Sequence, residues 1–355
     1  MAKVYRALGL MSGTSLDGVD VALIETDGER VLGFGPALER PFAEGVRAEL
    51  REATEAALAW GFEGPMPNSL GRASDIVDRV HIAAIEDFVA EHGRGFDVIG
   101  YHGQTVLHDA TRGKTLQLGS GRALADAFGV PCVYDFRSAD VAAGGQGAPL
   151  APVYHEALAR NFPVGTAVLN LGGVGNVSVF TPELTASDTG PGNGPLDAWM
   201  VENRGVAYDA GGAAAMEGVP DFAQVDQWLG SEFFQRALPR SADRYDFDVT
   251  ADAPATLAAF AVAGVRRTLA EMGHATTRLI VCGGGRRNRA LMAMLREELR
   301  CEVVAAEAVG WDGDALEAQA FGFLAVRRLL ELPISFPKTT GVPVPMTGGV
   351  IVRPS

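Results

Sequence analysis

Three short stretches carry the residue types that chemistry on a phosphate needs. The first spans residues 8–20 and reads LGLMSGTSLDGVD. An apolar run enters it and an alternating run leaves it. Between them lie Ser12, Gly13, Thr14, Ser15, Leu16, Asp17 and Gly18, followed by Val19 and Asp20. Glycines let a main chain approach an anion closely, and N–H groups and hydroxyls donate to phosphate oxygens. The spacing Gly13-x-x-x-x-Gly18 matches the start of a Walker A loop, but Val19 and Asp20 stand where Lys and Ser or Thr are needed. The stretch reads as a glycine-turn hairpin, either a phosphate cradle or an ordinary turn.

The second stretch repeats that pattern about half a chain later. Residues 167–171 (AVLNL) read as a strand, Gly172, Gly173, Val174, Gly175 and Asn176 as a turn, and residues 177–180 as a second strand. Two such hairpins imply an internal duplication, and two phosphate turns can hold a polyphosphate from both sides. In the third stretch, a strand at 277–282 (TRLIVC) runs into Gly283, Gly284 and Gly285, with a helix following over 288–299. A flat ring or a phosphate can lie against such a turn. The spacing is not GxGxxG, which argues against a dinucleotide site.

Several side chains near these stretches can react or bind. Asp188 sits in SDTGPGNG, just before a Gly/Pro turn and a helix beginning near Pro195. It reads either as a catalytic base or as a turn-capping residue. Asp17 is an acid among phosphate donors, which makes sense beside a Mg²⁺ ion; a solvent-facing turn residue is the competing reading. In the loop HGQTVLH, His102 and His108 are six apart and lack a nearby third ligand, so a polar sugar-contacting loop using His102 and Gln104 is preferred over a metal site. Arg137 follows a strand end and can grip a carboxylate in bidentate fashion or form a structural ion pair. Arg286 and Arg287 can stack on a base or serve as charges at a helix start.

These residues are positioned by alternating strands and helices, which predicts an α/β architecture. Strands are expected at 4–11, 19–24, 31–34, 96–101, 115–118, 130–136 and 303–306. Helices are expected at 45–60, 74–92, 123–128, 150–160, 226–238, 255–272 and 314–330. The Gly/Ala-rich segment 137–149 is the best domain boundary, giving domains 1–140 and 141–332. The Pro/Gly/Val-rich tail 333–355 is expected to pack back on the first.

Composition narrows the function. A 355-residue chain is long for one domain. A net charge of −14 without a basic cluster argues against a nucleic-acid partner. No segment holds about 18 uninterrupted apolar residues, so no membrane span is expected. Three scattered cysteines and an N-terminus without a signal-peptide pattern predict a reducing, cytoplasmic setting.

Taken together and in order, GLMSGTSLDGVDVAL, YHGQTVLH, DFRSADVAAGGQGAPLAP, NLGGVGNVS, DTGPGN and VCGGGRRN resemble the anhydro-N-acetylmuramic acid kinase family. That family lies within the actin/hexokinase superfamily of ATP-dependent phosphotransferases. The blocks span roughly residues 8–325. The resemblance implies a duplicated actin-like ATPase (ribonuclease H-like) fold, with two domains flanking a central cleft, and a homodimer. It also implies ATP and Mg²⁺ as cofactors and 1,6-anhydro-N-acetylmuramate as the sugar substrate. The reaction implied is hydrolytic opening coupled to phosphorylation of O6, in peptidoglycan recycling and amino-sugar metabolism.

The resemblance makes Asp188 the base that activates water. Gly13–Asp20, Gly172, Gly173, Gly175, Asn176 and Gly283–Gly285 become nucleotide contacts. His102, Gln104, Arg137 and Glu317 become sugar contacts, with a plain surface carboxylate as the competing reading of Glu317 at the start of the last long helix. GGGRRNRAL is more basic than the family pattern, and the extreme C-terminus is only loosely similar. The alternative reading is another small-molecule (sugar or carboxylate) kinase of the same fold, against which the HGQT and DFRSAD blocks argue. A chaperone-type ATPase is the third reading, and it lacks an evident peptide-binding insertion.

Overall fold

The computed structural model describes residues 3–180, 182–242, 246–247, 249–250 and 253–355. One mixed sheet is built from β1 (Tyr5–Ser12), β2 (Gly18–Thr26), β3 (Val31–Pro41), β4 (Val98–Asp109), β5 (Lys114–Leu118) and β6 (Cys132–Tyr134). A second is built from β7 (Thr166–Leu171), β8 (Val174–Val179), β9 (Thr185–Pro191), β10 (Arg278–Cys282) and β11 (Glu302–Ala305). The last strand, β12 (Val350–Val352), returns to the first sheet and pairs antiparallel with β6.

The two sheets share one topology. In the first, β1 pairs antiparallel with β2 and β2 with β3, while β1, β4 and β6 run parallel. In the second, β7 pairs antiparallel with β8 and β8 with β9, while β7, β10 and β11 run parallel. The order β3-β2-β1-β4-β6 is thus repeated as β9-β8-β7-β10-β11. This is the duplicated actin-like α/β fold, and the glycine turns at Gly13 and Gly172 occupy equivalent places in the two copies.

Strands β1 and β10 are apolar along most of their length because helices cover both faces. Ala7, Leu8 and Leu10 of β1 are completely buried, as are Leu279, Ile280 and Val281 of β10. On β1 and β4, Gly9 and Gly100 make room for the helix Leu316–Leu329. A Cβ at Gly9 would overlap the Ala318 carbonyl oxygen, and one at Gly100 would overlap that of Phe321. Leu50, Leu70, Val77 and Phe88, from the helices Glu44–Trp60 and Asn68–His92, join Leu8, Leu10 and Tyr101 in the first core. Full burial of each large aliphatic side chain stabilises by roughly 1.5–3 kcal/mol. In the second copy the helix Pro254–Met272 is buried nearly all round, as an apolar helix must be. It packs against Val177 and Leu279 on one side and Phe233, Phe234 and Phe247 on another.

Contacts divide the chain into residues 1–158, 317–337 and 341–355, and residues 159–316 with 338–340. This grouping differs from the expected division in three places, one of them being that residues 338–340 of the tail group with the second unit. Segment 141–158 stays with the first unit, where Tyr154 donates to Gln319 at 2.8 Å. The last helix also belongs there, because glycines in β1 and β4 are shaped to receive it. Residues 226–238 do not form one helix. Phe222–Leu229 is capped by Asp221 and ends at Gly230, and Glu232–Gln235 is a separate turn.

Candidate active site

The first glycine turn is held from several sides. Leu16 N–H donates to the Gly13 carbonyl at 3.2 Å, and Leu16 takes a left-handed φ of 57°. A non-glycine residue there costs about 1–2 kcal/mol, and Leu16 is kept in place by packing on the first core. Asp17 Oδ1 accepts from Ser15 Oγ at 2.9 Å and from Gly18 N–H at 3.0 Å. Thr14, Ser15 and Asp17 are exposed, so the turn presents its hydroxyls and one carboxylate outward.

HGQTVLH is not a loop. It lies within β4, where pairing with β1 shifts from Leu10↔Tyr101 to Ser12↔Gln104. One extra residue on β4 makes a bulge, and Gly103 absorbs it with a φ of 72°. Polar side chains survive burial here because they are bonded. Gln104 Nε2 donates to the Gly13 carbonyl at 3.1 Å, tying the strand to the glycine turn. Its Oε1 is buried with no hydrogen-bond partner among the described residues.

His102 is buried with Nδ1 2.7 Å from the Gly103 carbonyl, so this nitrogen carries the proton. Nε2 then accepts from Arg137 Nε at 3.2 Å and Nη2 at 2.9 Å. Burial first, and the Arg137 guanidinium second, hold the imidazole well below its usual pKa. A neutral ring is what this acceptor role needs. Arg137 Nη1 donates to the Gly147 carbonyl at 2.6 Å, while Asp140 Oδ1 accepts from Gly147 N–H at 2.7 Å. His108 Nε2 lies 2.9 Å from the Gln146 carbonyl. The glycine-rich segment expected to be a domain boundary is thus stitched to β4 and Arg137.

The second glycine turn is braced by a loop the sequence reading did not assign to it. N–H groups of Gly192 and Gly194 donate to the Gly173 carbonyl, and that of Asn193 to the Gly172 carbonyl, at 2.7–3.0 Å. Asn193 Nδ2 also donates to the Leu171 carbonyl at 3.1 Å. A peptide is planar and trans, so fixing these carbonyls turns the N–H groups of Gly173 and Val174 the opposite way. The arrangement can present amides to an anion.

Asp188 lies on β9 rather than on a loop, directly across from Asn176 of β8. Thr189 is left unpaired in the ladder, because Gly175 pairs with Gly190 and Asn176 with Asp188. Bulges of this kind re-aim neighbouring side chains. Asp188 is 5% exposed, and its Oδ2 accepts from Ala242 N–H at 2.8 Å. Asn176 Oδ1 and Thr189 Oγ1 are buried without hydrogen-bond partners among the described residues. Each unsatisfied buried group costs about 1–3 kcal/mol, which a bound polar molecule would offset.

Gly283, Gly284 and Gly285 lie against the end of β7. Side chains at Gly283 and Gly285 would collide with Asn170 and Leu171, whereas Gly284 faces open space. Asn288 caps the following helix Arg289–Glu298 by accepting from Ala290 and Leu291 N–H. Arg286 is engaged by the protein itself. Its buried guanidinium makes a bidentate pair with Asp314 at 2.8 Å, bonds Glu307 at 2.7 Å and donates to the Gly283 carbonyl at 3.0 Å. Burial works against its charge, but these acids outweigh burial and raise its pKa. Arg287 is exposed and also pairs with Asp314. The basic departure from the family pattern is therefore a structural clamp on the glycine turn.

Within the first unit the structure brings together Gly13–Gly18, Gln104, His102 and Arg137. Within the second it gathers Gly172–Asn176, Asp188 and Gly283–Gly285. Glu317 is exposed in the first turn of Leu316–Leu329. Among the described residues no group of three or more His, Cys, Asp or Glu could hold a metal ion, and no helix is long and apolar enough to cross a membrane. Sequence reasoning missed Asn193, although its place in GPGNG two residues before Pro195 was a usable turn signal. It missed Arg240 and Ala242, for which sequence holds no signal.

The family model described as anhydro-N-acetylmuramic acid kinase matches residues 5–354. A protein named anhydro-N-acetylmuramic acid kinase from Nitrobacter winogradskyi is 48% identical over 98% of this chain and 99% of its own length. One of the same name from Phenylobacterium zucineum is 48% identical over 98% of this chain and 100% of its own. Among solved structures, the chain is similar to an activator of 2-hydroxyisocaproyl-CoA dehydratase from Clostridium difficile. That likeness has a TM-score of 0.44 and 11% identity, covering 92% of this chain and 96% of the other. With its glycine turns, acidic strand and near-complete family match, this chain belongs to the anhydro-N-acetylmuramic acid kinase family.

Proposed function

We propose that the protein uses ATP and water to convert 1,6-anhydro-N-acetylmuramate to N-acetylmuramate 6-phosphate and ADP. Family membership supports the reaction class. The observation that carries the assignment of roles is Asp188, buried across from Asn176 with one carboxylate oxygen held by a backbone N–H. Asp188 takes a proton from water as the water oxygen attacks C1. The C1–O6 bond breaks, and O6 keeps the electron pair and attacks the γ-phosphorus, releasing ADP. Phosphorus captures the leaving oxygen, so a separate acid is not required, unlike in ordinary glycoside hydrolysis. Such a sugar derives from peptidoglycan, which puts the reaction in cell-wall recycling.

In this reading the amides of the two glycine turns hold phosphate oxygens, and Gly284 leaves room for adenosine. Mg²⁺ fits as an ion carried by the nucleotide, since it keeps several waters and takes one or two carboxylates along with phosphates. Asp17 is the carboxylate at hand: both its turn bonds use Oδ1, so Oδ2 is the oxygen that can reach the ion. Bound Mg²⁺ would neutralise charge on the β- and γ-phosphates.

His102 acts in this scheme as the neutral acceptor that orients Arg137, rather than as a direct sugar contact. Arg137 then offers its guanidinium to the lactyl carboxylate. Arg137→Ala should raise KM for the sugar roughly 10–100-fold, the worth of a charge-assisted hydrogen bond of about 1.5–3 kcal/mol. KM for ATP should move little. An effect confined to ATP would remove Arg137 from this place.

The reaction itself is tested by coupled ADP release with 1,6-anhydro-N-acetylmuramate against plain N-acetylmuramate. Strong preference for the anhydro sugar, with one solvent oxygen entering at C1, is expected. Equal use of both sugars would instead indicate a simple sugar kinase of the same fold.

A further inference from the structure

Resting on the reading of Asp188 as the base, we propose that Arg240 is a positioning residue for Asp188. Its buried side chain locks segment 240–242, and that segment sets the carboxylate. One backbone–backbone bond and backbone–side-chain bonds join the segment to β9. Asp188 N–H donates to the Arg240 carbonyl at 3.0 Å, and Ala242 N–H donates to Asp188 Oδ2 at 2.8 Å. Arg240 N–H donates to Ser187 Oγ at 3.1 Å. The segment is therefore tied to both the backbone and the carboxylate of Asp188.

The anchor for this segment lies on another element, the helix Pro254–Met272. The Arg240 side chain is 1% exposed and pairs with Glu271 at 2.8 Å. It also donates to Thr268 Oγ1 at 3.0 Å and lies over the rings of Phe233 and Phe234. Thr268 and Glu271 belong to the helix Pro254–Met272. The charged groups facing the guanidinium are Glu271, Arg267 and Arg236. Glu271 also takes Arg267 Nε at 2.7 Å, so one carboxylate serves two cations. A surface-type arginine would not need this enclosure, and the segment it anchors ends on the oxygen of the proposed base.

Positioning of this kind is worth much in rate and little in binding. A displacement of about 1 Å at a reacting group can cost roughly 10²-fold. Loss of a donor to the charged form also raises a carboxylate's pKa. Ala242→Pro deletes the donor to Asp188 Oδ2 while leaving the ion pair, because proline has no N–H. Arg240→Met removes the anchor, and Arg240→Lys keeps the charge for Glu271. The measurement is kcat, both KM values and the pH dependence of kcat, each per folded molecule, with thermal melting alongside.

We expect kcat to fall roughly 10–100-fold in Ala242→Pro and Arg240→Met, with partial rescue in Arg240→Lys. Both KM values should stay within about threefold, and the acid limb of the kcat profile should move upward in pH. A lowered melting temperature with unchanged kcat and an unmoved acid limb overturns the proposal. So does loss of fold in Ala242→Pro and Arg240→Met while Arg240→Lys keeps a wild-type kcat and acid limb. If Asp188→Asn itself retains turnover, the Asp188 reading fails first. If Asp188→Asn is inactive but the limb does not move, only the role of Arg240 is lost.

Discussion

Asp188→Asn is expected to lower turnover by about 10²–10⁴-fold, the range that a positioned general base contributes. The substitution is nearly isosteric. Its side-chain oxygen can still accept from Ala242 N–H, which now bonds Asp188 Oδ2 at 2.8 Å. The strand pairing with Asn176 and the bulge at Thr189 use backbone only, so the fold should persist. What is lost is the ability to take a proton from water. ATP affinity, measured by calorimetry, should therefore remain close to wild type while sugar-dependent ADP release falls by about 10²–10⁴-fold. Near-normal release would exclude Asp188 as the base.

Gly9→Ala should have the largest effect on stability. Gly9 sits in the middle of β1, and any Cβ there overlaps the Ala318 carbonyl oxygen of the helix Leu316–Leu329. The nearest obstacles are backbone atoms, which cannot rotate away as a side chain does. The helix must lift from the sheet, with an overpacking cost of about 1–3 kcal/mol or more. Thermal unfolding should report a drop of several degrees, on the order of 2–4 °C per kcal/mol. Glu317 precedes Ala318, so KM for the sugar should rise as well if that carboxylate is a substrate contact. Gly45→Ala is the internal comparison. That glycine lies in the helix Glu44–Trp60 with nothing near its missing Cβ, so alanine should be neutral or stabilise by about 0.5–1 kcal/mol. Equal melting of the two variants would mean the contact at Ala318 is softer than its geometry implies.

Much of the architecture was legible because it depends on local rules. Buried parallel strands are apolar along their length, so 4–11, 167–171 and 277–282 stood out. The repeated hairpin disclosed the duplication before any strand was paired. The polar β4 segment did not stand out. His102 and Gln104 look like loop residues until their partners are known, namely the Gly103 carbonyl and Arg137 for one and the Gly13 carbonyl for the other. Burial of polar groups depends on partners distant in sequence, and pattern reading assigns such groups to the surface.

Arg286 shows the same limit from the opposite side. Two adjacent arginines after a glycine turn suggested a base contact or a charged helix start. Arg286 instead binds Glu307 and Asp314, more than twenty residues away, and fastens the turn from behind.

By itself, the sequence determined the α/β class, the duplication, the positions of the three glycine turns and the candidacy of Asp188. All of these follow from residue type and short-range spacing. Tertiary structure alone decided the transfer of the last helix to the first unit, since only β1 and β4 reveal what Gly9 and Gly100 make room for. It also decided that His102 Nε2 accepts from Arg137, that Asp188 Oδ2 accepts from Ala242 N–H, and that the neighbouring Arg240 is buried against Glu271. These depend on hydrogen bonds and close contacts between segments that only folding brings within a few ångströms.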